Sequence, residues 1–97
     1  MTLQEYRATL DGAEAPESLP PLLRALWWDA RGDWTRAHEI AQDESGPEAA
    51  WVHAYLHRKE GDAWNAGYWY RQTGRPIAQG TLEEEWRELV SVLIGKV

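Results

Sequence analysis

The sequence predicts an all-α protein of about six helices, arranged as stacked helical hairpins. Three observations support this prediction: a helix–turn–helix pattern occurs twice, apolar residues recur at helical spacing, and no segment alternates with the period of a strand. The two copies read ALWWDARGDWTRAHEIAQ, over 25–42, and AYLHRKEGDAWNAGYWYR, over 54–71. An offset of 29 residues superposes them and aligns the Gly-Asp pair of each copy. We therefore expect two helical hairpins of one design at the centre of the fold.

The Gly-Asp pair predicts a tight turn between antiparallel helices. Gly32 and Gly61 each follow a helical stretch, where glycine adopts the left-handed conformation that lets the last carbonyls find donors. Asp33 and Asp62 then cap the next helix, because the carboxylate accepts the unpaired amide hydrogens of its first turn. An alanine four residues beyond each aspartate is small enough to let the paired helix approach closely.

The first hairpin is predicted over about 19–43. Ser18 is expected to cap a helix that carries Pro20 and Pro21 in its first turn, where a missing amide hydrogen costs nothing. That helix should run to about Arg31, ahead of the Gly-Asp turn. The predicted helices of the two hairpins are 19–31, 34–42, 47–59 and 63–72.

The second hairpin is predicted over about 47–74, after a break rich in acidic residues, glycine and proline. Two further helices, at about 3–10 and 82–95, flank the hairpins. Each opens with a capping box, in which Thr2 or Thr81 precedes a glutamate by three residues. The whole chain is therefore expected to form a single helical domain.

Three segments link this pattern to a known family. RGDWTRA, at 31–37, and EGDAWNA, at 60–66, resemble the turn between the two helices of a tetratricopeptide repeat. NAGYWYR, at 65–71, is similar to the second helix of a Sel1-like repeat. The resemblance covers about 22–76 and implies a TPR-like stack of helical hairpins. The 29-residue offset is shorter than the roughly 34 residues usual in the family.

Composition excludes several classes of protein. The 97 residues suffice for one domain, and 16 acidic residues against 10 basic ones give a net charge of −6, which disfavours nucleic acids and anionic membranes. Without cysteine there are no disulfides, thiolate zinc sites or cysteine nucleophiles, and a reducing cytoplasm fits. The first residues, MTLQE, lack the basic and apolar regions of a signal peptide, so we expect none.

Aromatic residues suggest a binding surface. The chain has seven tryptophans and four tyrosines, and the helical segments 22–30 and 63–72 carry large apolar side chains nearly all round. A domain of this size cannot bury every ring, so we expect an exposed aromatic patch that binds a protein partner or a second copy. Alternatively, the rings simply build the core of a short chain. The candidate binding residues are Trp64, Tyr68, Trp69, Arg71 and Arg75.

The two arginines of this set have alternative interpretations. Arg71 and Arg75 could bind a carboxylate-bearing peptide or small molecule within a cage of rings. We favour the interpretation that their guanidinium groups lie over exposed ring faces and close the core.

The histidines supply an alternative function, the binding of a divalent metal or a small ligand. His53 and His57, at i and i+4, could hold a metal with Glu60 as a third ligand. They fall opposite the apolar arc of segment 47–59, so we favour a solvated polar face instead. His38 is interpreted as a partly buried histidine bonded to a carbonyl rather than a catalytic base.

No pattern in the sequence predicts catalysis. His38-Glu39 lacks the second histidine of the H-E-x-x-H motif, so a metalloprotease is excluded. Glu83, Glu84 and Glu85 follow the cap at Thr81, where complementing the helix dipole explains them. There is no glycine-rich phosphate loop and no nucleophile elbow. The protein is therefore predicted not to be an enzyme and to need no cofactor.

Overall fold

A computed structural model describes residues 1–96. This part of the chain contains six α-helices and no strand, which confirms the predicted fold class. The helices are α1 (Leu3–Thr9), α2 (Pro21–Ala30), α3 (Trp34–Gln42), α4 (Pro47–Lys59), α5 (Ala63–Thr73) and α6 (Leu82–Gly95). Helix α2 packs along α3, and α4 packs along α5, so both hairpins form. None of the helices in residues 1–96 is long and apolar enough to cross a membrane.

The two Gly-Asp turns have almost the same geometry. Gly32 and Gly61 have φ of +84° and +88°, in the region that favours glycine. The amide of Asp33 donates to the carbonyl of Trp28 at 2.9 Å, and the amide of Asp62 makes the equivalent bond at the same length. Both aspartate side chains accept the amide hydrogen three residues on, at 3.0 and 3.1 Å. Each turn therefore closes one helix and caps the next within two residues.

The remaining helix starts follow the predicted signals with one exception. Thr2 and Thr81 both form complete capping boxes. The prediction that Ser18 caps α2 is wrong, since Pro20 occupies the N-cap position and no side chain bonds the first turn. A residue that precedes proline is held extended, so Pro20 cannot join the helix ahead of Pro21. Ser18 therefore lies too far from the first helical amides to cap them.

Helix α4 lies at the centre of the molecule. It packs against α5, α3, α2 and α6, and every side chain from Ala49 to His57 is buried. The interpretation of His53 and His57 as a solvated face is therefore wrong, because they are only 5% and 9% exposed. The apolar arc of α4 meets α2 and α6, while α3 and α5 cover the opposite side.

Two buried carboxylates fasten the hairpins to their neighbours. Asp29 of α2 is 1% exposed and accepts hydrogen bonds from the Tyr55 hydroxyl and Lys59 Nζ, each at 2.8 Å. Both donors belong to α4, so this carboxylate joins the first hairpin to the second. Burial, and after it the charge of Asp29, raises the pKa of Tyr55 far above its usual range, which keeps the phenol a donor.

The second carboxylate, Glu85 of α6, is 4% exposed. It accepts hydrogen bonds from Trp51 Nε1 at 3.1 Å, from Arg58 Nη1 at 2.8 Å and from the Tyr70 hydroxyl. The interpretation of Glu85 as a residue that only complements the helix dipole is therefore wrong. It holds α6 against both helices of the second hairpin.

Candidate functional site

The outer side of α5 exposes two large aromatic rings. Trp64 is 74% exposed and Tyr68 is 42% exposed. They are four residues apart on one side of the helix, and their rings lie nearly parallel with centroids 6.4 Å apart. Most large rings of this protein are buried or half-buried, so this pair stands out as apolar surface left in water.

Arg71 lies on the same side of α5, one turn beyond Tyr68, and is exposed. Its Nη1 would lie 3.7 Å from a methyl group placed on Gly67, so the side chain runs back along the helix toward the rings. Within residues 1–96, no carboxylate oxygen lies within 4.0 Å of its guanidinium group. Trp64, Tyr68 and Arg71 together are called the α5 face below.

The other two predicted binding residues lie elsewhere. Trp69 is half-buried, and its ring stacks on His53 with centroids 4.2 Å apart. The guanidinium carbon of Arg75 lies 3.8 Å from the centroid of the Trp51 ring. Arg75 thus covers a core ring, as the favoured interpretation of the two arginines expected, whereas Arg71 does not. The five candidates do not form one aromatic cage.

A second feature brings all three histidines of the chain together. His38 of α3 meets His53 and His57 of α4, with ring centroids 5.1 Å and 5.3 Å away. The rings of His53 and His57 are 6.2 Å apart, and one nitrogen from each histidine lies within 4.8 Å of the others. These three residues are called the histidine cluster below.

Sequence reasoning placed His53 and His57 together but missed the third member. His38 is half-buried, as expected. Its ring stacks on Trp34, with centroids 5.0 Å apart. Within residues 1–96 the histidine side chain that forms a hydrogen bond is His57, so the expected bond from His38 to a carbonyl is absent. The signal that could have found it was its position on the packed side of α3, which faces the neighbouring hairpin. The packing of α3 on α4 then places His38 beside His53 and His57.

Two indoles enclose the cluster. Trp34 stacks on His38 and Trp69 stacks on His53, with interplanar angles of 10° and 13°. Trp34 is itself held in place by a 2.7 Å hydrogen bond from Nε1 to the carbonyl of Leu56. One face of His38 and one face of His53 are therefore covered by an indole ring.

Glu60, predicted as a third metal ligand, bonds one member of the cluster. Its Oε1 lies 2.6 Å from Nδ1 of His57. A neutral imidazole that donates from Nδ1 carries its lone pair on Nε2. Glu60 thus fixes the orientation of His57 and selects the nitrogen left free to bind something else. Asp62 also lies within reach of this pair.

Burial favours the uncharged forms of His38 and His53. Desolvation, followed by the proximity of His38 and His57, lowers the pKa of His53 from 6.5 to about 4. Desolvation also lowers the pKa of His38, and His57 adds to the shift. Nδ1 of His53 is buried with no hydrogen-bond partner in residues 1–96. His38 and His53 therefore favour the neutral imidazole, and His53 has an unsatisfied buried nitrogen.

Comparison with known proteins finds no family model, curated protein or solved structure that matches this chain.

Proposed function

We propose that this protein is a small helical-repeat module, of the Sel1-like kind, that binds another protein through the α5 face. The observation that carries this proposal is the exposed, stacked pair of Trp64 and Tyr68. An apolar pair of this size in water has a free-energy cost that burial against a partner removes, at roughly 25 cal/mol per Å² of apolar surface. Two aligned rings on a rigid helix also lose little side-chain entropy on binding.

The internal repeat shows that the fold does not require this pair. The offset of 29 residues places Thr35 of α3 at the position of Trp64, and Glu39 at that of Tyr68. Both are exposed, and the first hairpin forms the same turn and the same helix pair without rings at these positions. The exposed rings of the second hairpin are therefore available to contact a partner.

The α5 face has the composition of an interaction hot spot. Tryptophan, tyrosine and arginine are the residue types that most often dominate binding energy at protein interfaces. Arg71 suits a carboxylate of the partner, since an arginine–carboxylate pair forms two parallel hydrogen bonds. We therefore expect a partner segment with an apolar side chain for the rings and an acidic residue about one helical turn away.

Charge favours a different protein over a second copy. Two copies would each bring a net charge of −6 to the interface, and like charges repel. A face of two rings and one arginine also offers less than the roughly 800 Å² per partner of a standard interface, which favours a transient complex. We place the protein in the cytoplasm and expect no nucleic-acid partner and no enzymatic activity.

Photocrosslinking from the face tests this proposal. A benzophenone amino acid is introduced in place of Trp64 and, as the matched control, in place of Thr35, and each variant is expressed in the native host. We expect a discrete crosslinked protein from position 64 that position 35 does not give. Its yield should fall when Arg71→Glu is added, because the partner's carboxylate is then repelled.

Affinity measurements with the captured partner complete the test. Trp64→Ala should weaken binding by about 30-fold or more, the effect of losing a hot-spot residue of about 2 kcal/mol. Thr35→Ala should leave affinity unchanged, and both variants should keep their melting temperature because the altered side chains are exposed. Equal background crosslinking from the two positions would overturn the proposal. A crosslinked dimer of this chain alone would overturn the choice of a different protein as the partner.

A further inference from the structure

We propose that His38, His53 and His57 form a binding site for a zinc-class divalent cation, with one imidazole nitrogen from each histidine as a ligand. This site is separate from the α5 face and does not depend on its function. It joins α3 to α4, so it spans the two hairpins. The inference rests on the spacing of the rings, on an unpaired buried nitrogen and on the surroundings of the cluster.

The spacing of the rings matches that of ligands around one ion. Three imidazoles that share a tetrahedral ion, with metal–nitrogen distances of about 2.0–2.1 Å, hold their ring centroids about 5 Å apart. The ring centroid of His38 lies 5.1 Å from that of His53 and 5.3 Å from that of His57. The centroids of His53 and His57 are 6.2 Å apart. The nitrogens, within 4.8 Å of one another, would close to about 3.3 Å on the ion. Rotation of the side chains supplies that change.

The unpaired nitrogen distinguishes the cluster from ordinary aromatic packing. His53 is 5% exposed, and its Nδ1 has no hydrogen-bond partner in residues 1–96. A buried polar atom without a partner is unfavourable, because it has lost its hydrogen bonds to water.

Glu60 supplies the outer support that metal-binding histidines usually have. Such histidines donate their second ring nitrogen to a carboxylate or carbonyl, which fixes the tautomer and strengthens the ligand. The 2.6 Å contact between Nδ1 of His57 and Glu60 is a bond of this kind. Glu60 is thus a positioning residue, in place of the direct ligand that sequence spacing predicted.

The chemistry of the ligands selects the ion. Neutral imidazoles prefer zinc, copper, nickel or cobalt over magnesium and calcium, which need oxygen ligands. Three protein ligands leave a fourth tetrahedral position, the arrangement of sites that bind water or a small ligand on the ion. An open cavity of about 390 Å³, lined in part by His53 and Trp69, gives solvent access to one histidine of the cluster.

Calorimetric titration of tag-free, chelator-treated full-length protein with Zn²⁺ tests the site. We expect one ion per chain and no binding of Mg²⁺. His38→Ala and His53→Gln should each weaken zinc affinity by more than about 100-fold, since even loss of an outer partner costs about 10- to 100-fold. Glu60→Gln should weaken zinc affinity by about 10- to 100-fold. Glu39→Gln, next to His38 but exposed, is the matched control and should bind zinc like the unaltered protein.

Spectroscopy reports the ligands directly. The Co²⁺-loaded protein should show the intense visible absorption of tetrahedral cobalt with nitrogen ligands, and His38→Ala should abolish it. Because His38 is half-buried, this variant should keep its helical circular dichroism, which separates lost ligation from lost folding. Absence of stoichiometric zinc binding by the folded protein would overturn the proposal. So would unchanged affinity in His38→Ala, which would point instead to His57, Glu60 and Asp62, the other group of donors that lie together.

Discussion

The first and second hairpins share a turn but differ in the side chains around it. Gly32 and Gly61 have φ values 4° apart, and in both turns the aspartate amide donates to the carbonyl five residues earlier, at 2.9 Å. At the outer positions of the second helix, the first hairpin carries Thr35 where the second carries Trp64. Residues common to both copies therefore specify the turn, and residues that differ specify connections and candidate binding surfaces.

One pair of equivalent positions shows how the hairpins are connected. Asp29 and Arg58 are 29 residues apart and lie at the same place in α2 and α4. Asp29 bonds Lys59 of the next hairpin, and Arg58 bonds Glu85 of α6. Each hairpin thus uses this position to attach to the next element, with charges of opposite sign.

Loss of the Glu85 carboxylate should destabilise the protein more than any other of the single substitutions proposed for the two hairpins. Glu85→Ala leaves Trp51 Nε1, the Tyr70 hydroxyl and the Arg58 guanidinium group without their shared acceptor. We expect the free energy of unfolding to fall by about 3–5 kcal/mol, the usual cost of removing one partner of a buried ion pair. Urea denaturation followed by circular dichroism measures it.

Asp29→Ala is the matched experiment for the first hairpin. Lys59 is 37% exposed and can return to water, so we expect a smaller loss than for Glu85→Ala. An equal or larger loss in Asp29→Ala would contradict the assignment of Glu85 as the stronger attachment.

Acid should destabilise the protein through the second hairpin. As pH falls below 6.5, the histidines of the unfolded chain take up protons, while His53 in the folded state stays neutral until about pH 4. The unfolded state then binds more protons, so stability is complete above about pH 6.5 and is lost toward pH 4, by on the order of 2–3 kcal/mol. His38 on α3 contributes in the same direction. His57 also lies beside His53, and Glu60 is bonded to His57.

Urea denaturation between pH 4 and 7, with chelator present, measures this dependence. His53→Gln removes the titrating group and should flatten the curve in that window, whereas carboxylate titration persists in both proteins. At the positions equivalent to His53 and His57, the first hairpin has Arg24 and Trp28, so it lacks this histidine pair. A slope unchanged by His53→Gln would show that the acid response lies elsewhere.

The two turn glycines should respond alike. Gly32→Ala and Gly61→Ala each force a side chain to φ near +85°, which costs roughly 1–2 kcal/mol. Neither added methyl group meets an atom within 4 Å, so backbone strain is the only cause. Thermal unfolding should give losses that agree within about 0.5 kcal/mol. Losses that differ by more would mean that the turns are not energetically equivalent.

The sequence predicted what local chemistry determines. The Gly-Asp turns, the capping boxes at Thr2 and Thr81 and the start of α4 at Pro47 follow from residues adjacent in the chain, and all were confirmed. What failed depended on packing between elements. Helical periodicity placed His53 opposite the apolar arc of α4. Periodicity within one helix cannot show that α3 and α5 cover that side.

The same limit explains the partial success at the candidate sites. The sequence marked α5 as carrying more rings than a small core can bury, and Trp64 and Tyr68 are indeed exposed. It could not tell that Arg75 would cover Trp51 of α4, since that contact depends on the path of the chain after α5. His38 joined the cluster for the same reason, through the packing of one hairpin on the other.

Gly67 offers the smallest effect and separates two explanations of a glycine inside α5. The equivalent residue in the first hairpin is His38, which contacts the following hairpin. A methyl group added at Gly67 would meet only the end of the Arg71 side chain within 4 Å. If glycine is merely tolerated there, Gly67→Ala should raise the free energy of unfolding by about 0.5–1 kcal/mol, because alanine favours the helix. Thermal unfolding of the isolated protein measures that gain. If the glycine instead lets a partner approach α5 closely, the same variant should be more stable alone and yet bind the partner captured at position 64 more weakly. A destabilised Gly67→Ala protein would contradict both explanations, since it would require a contact at this position that the fold does not contain.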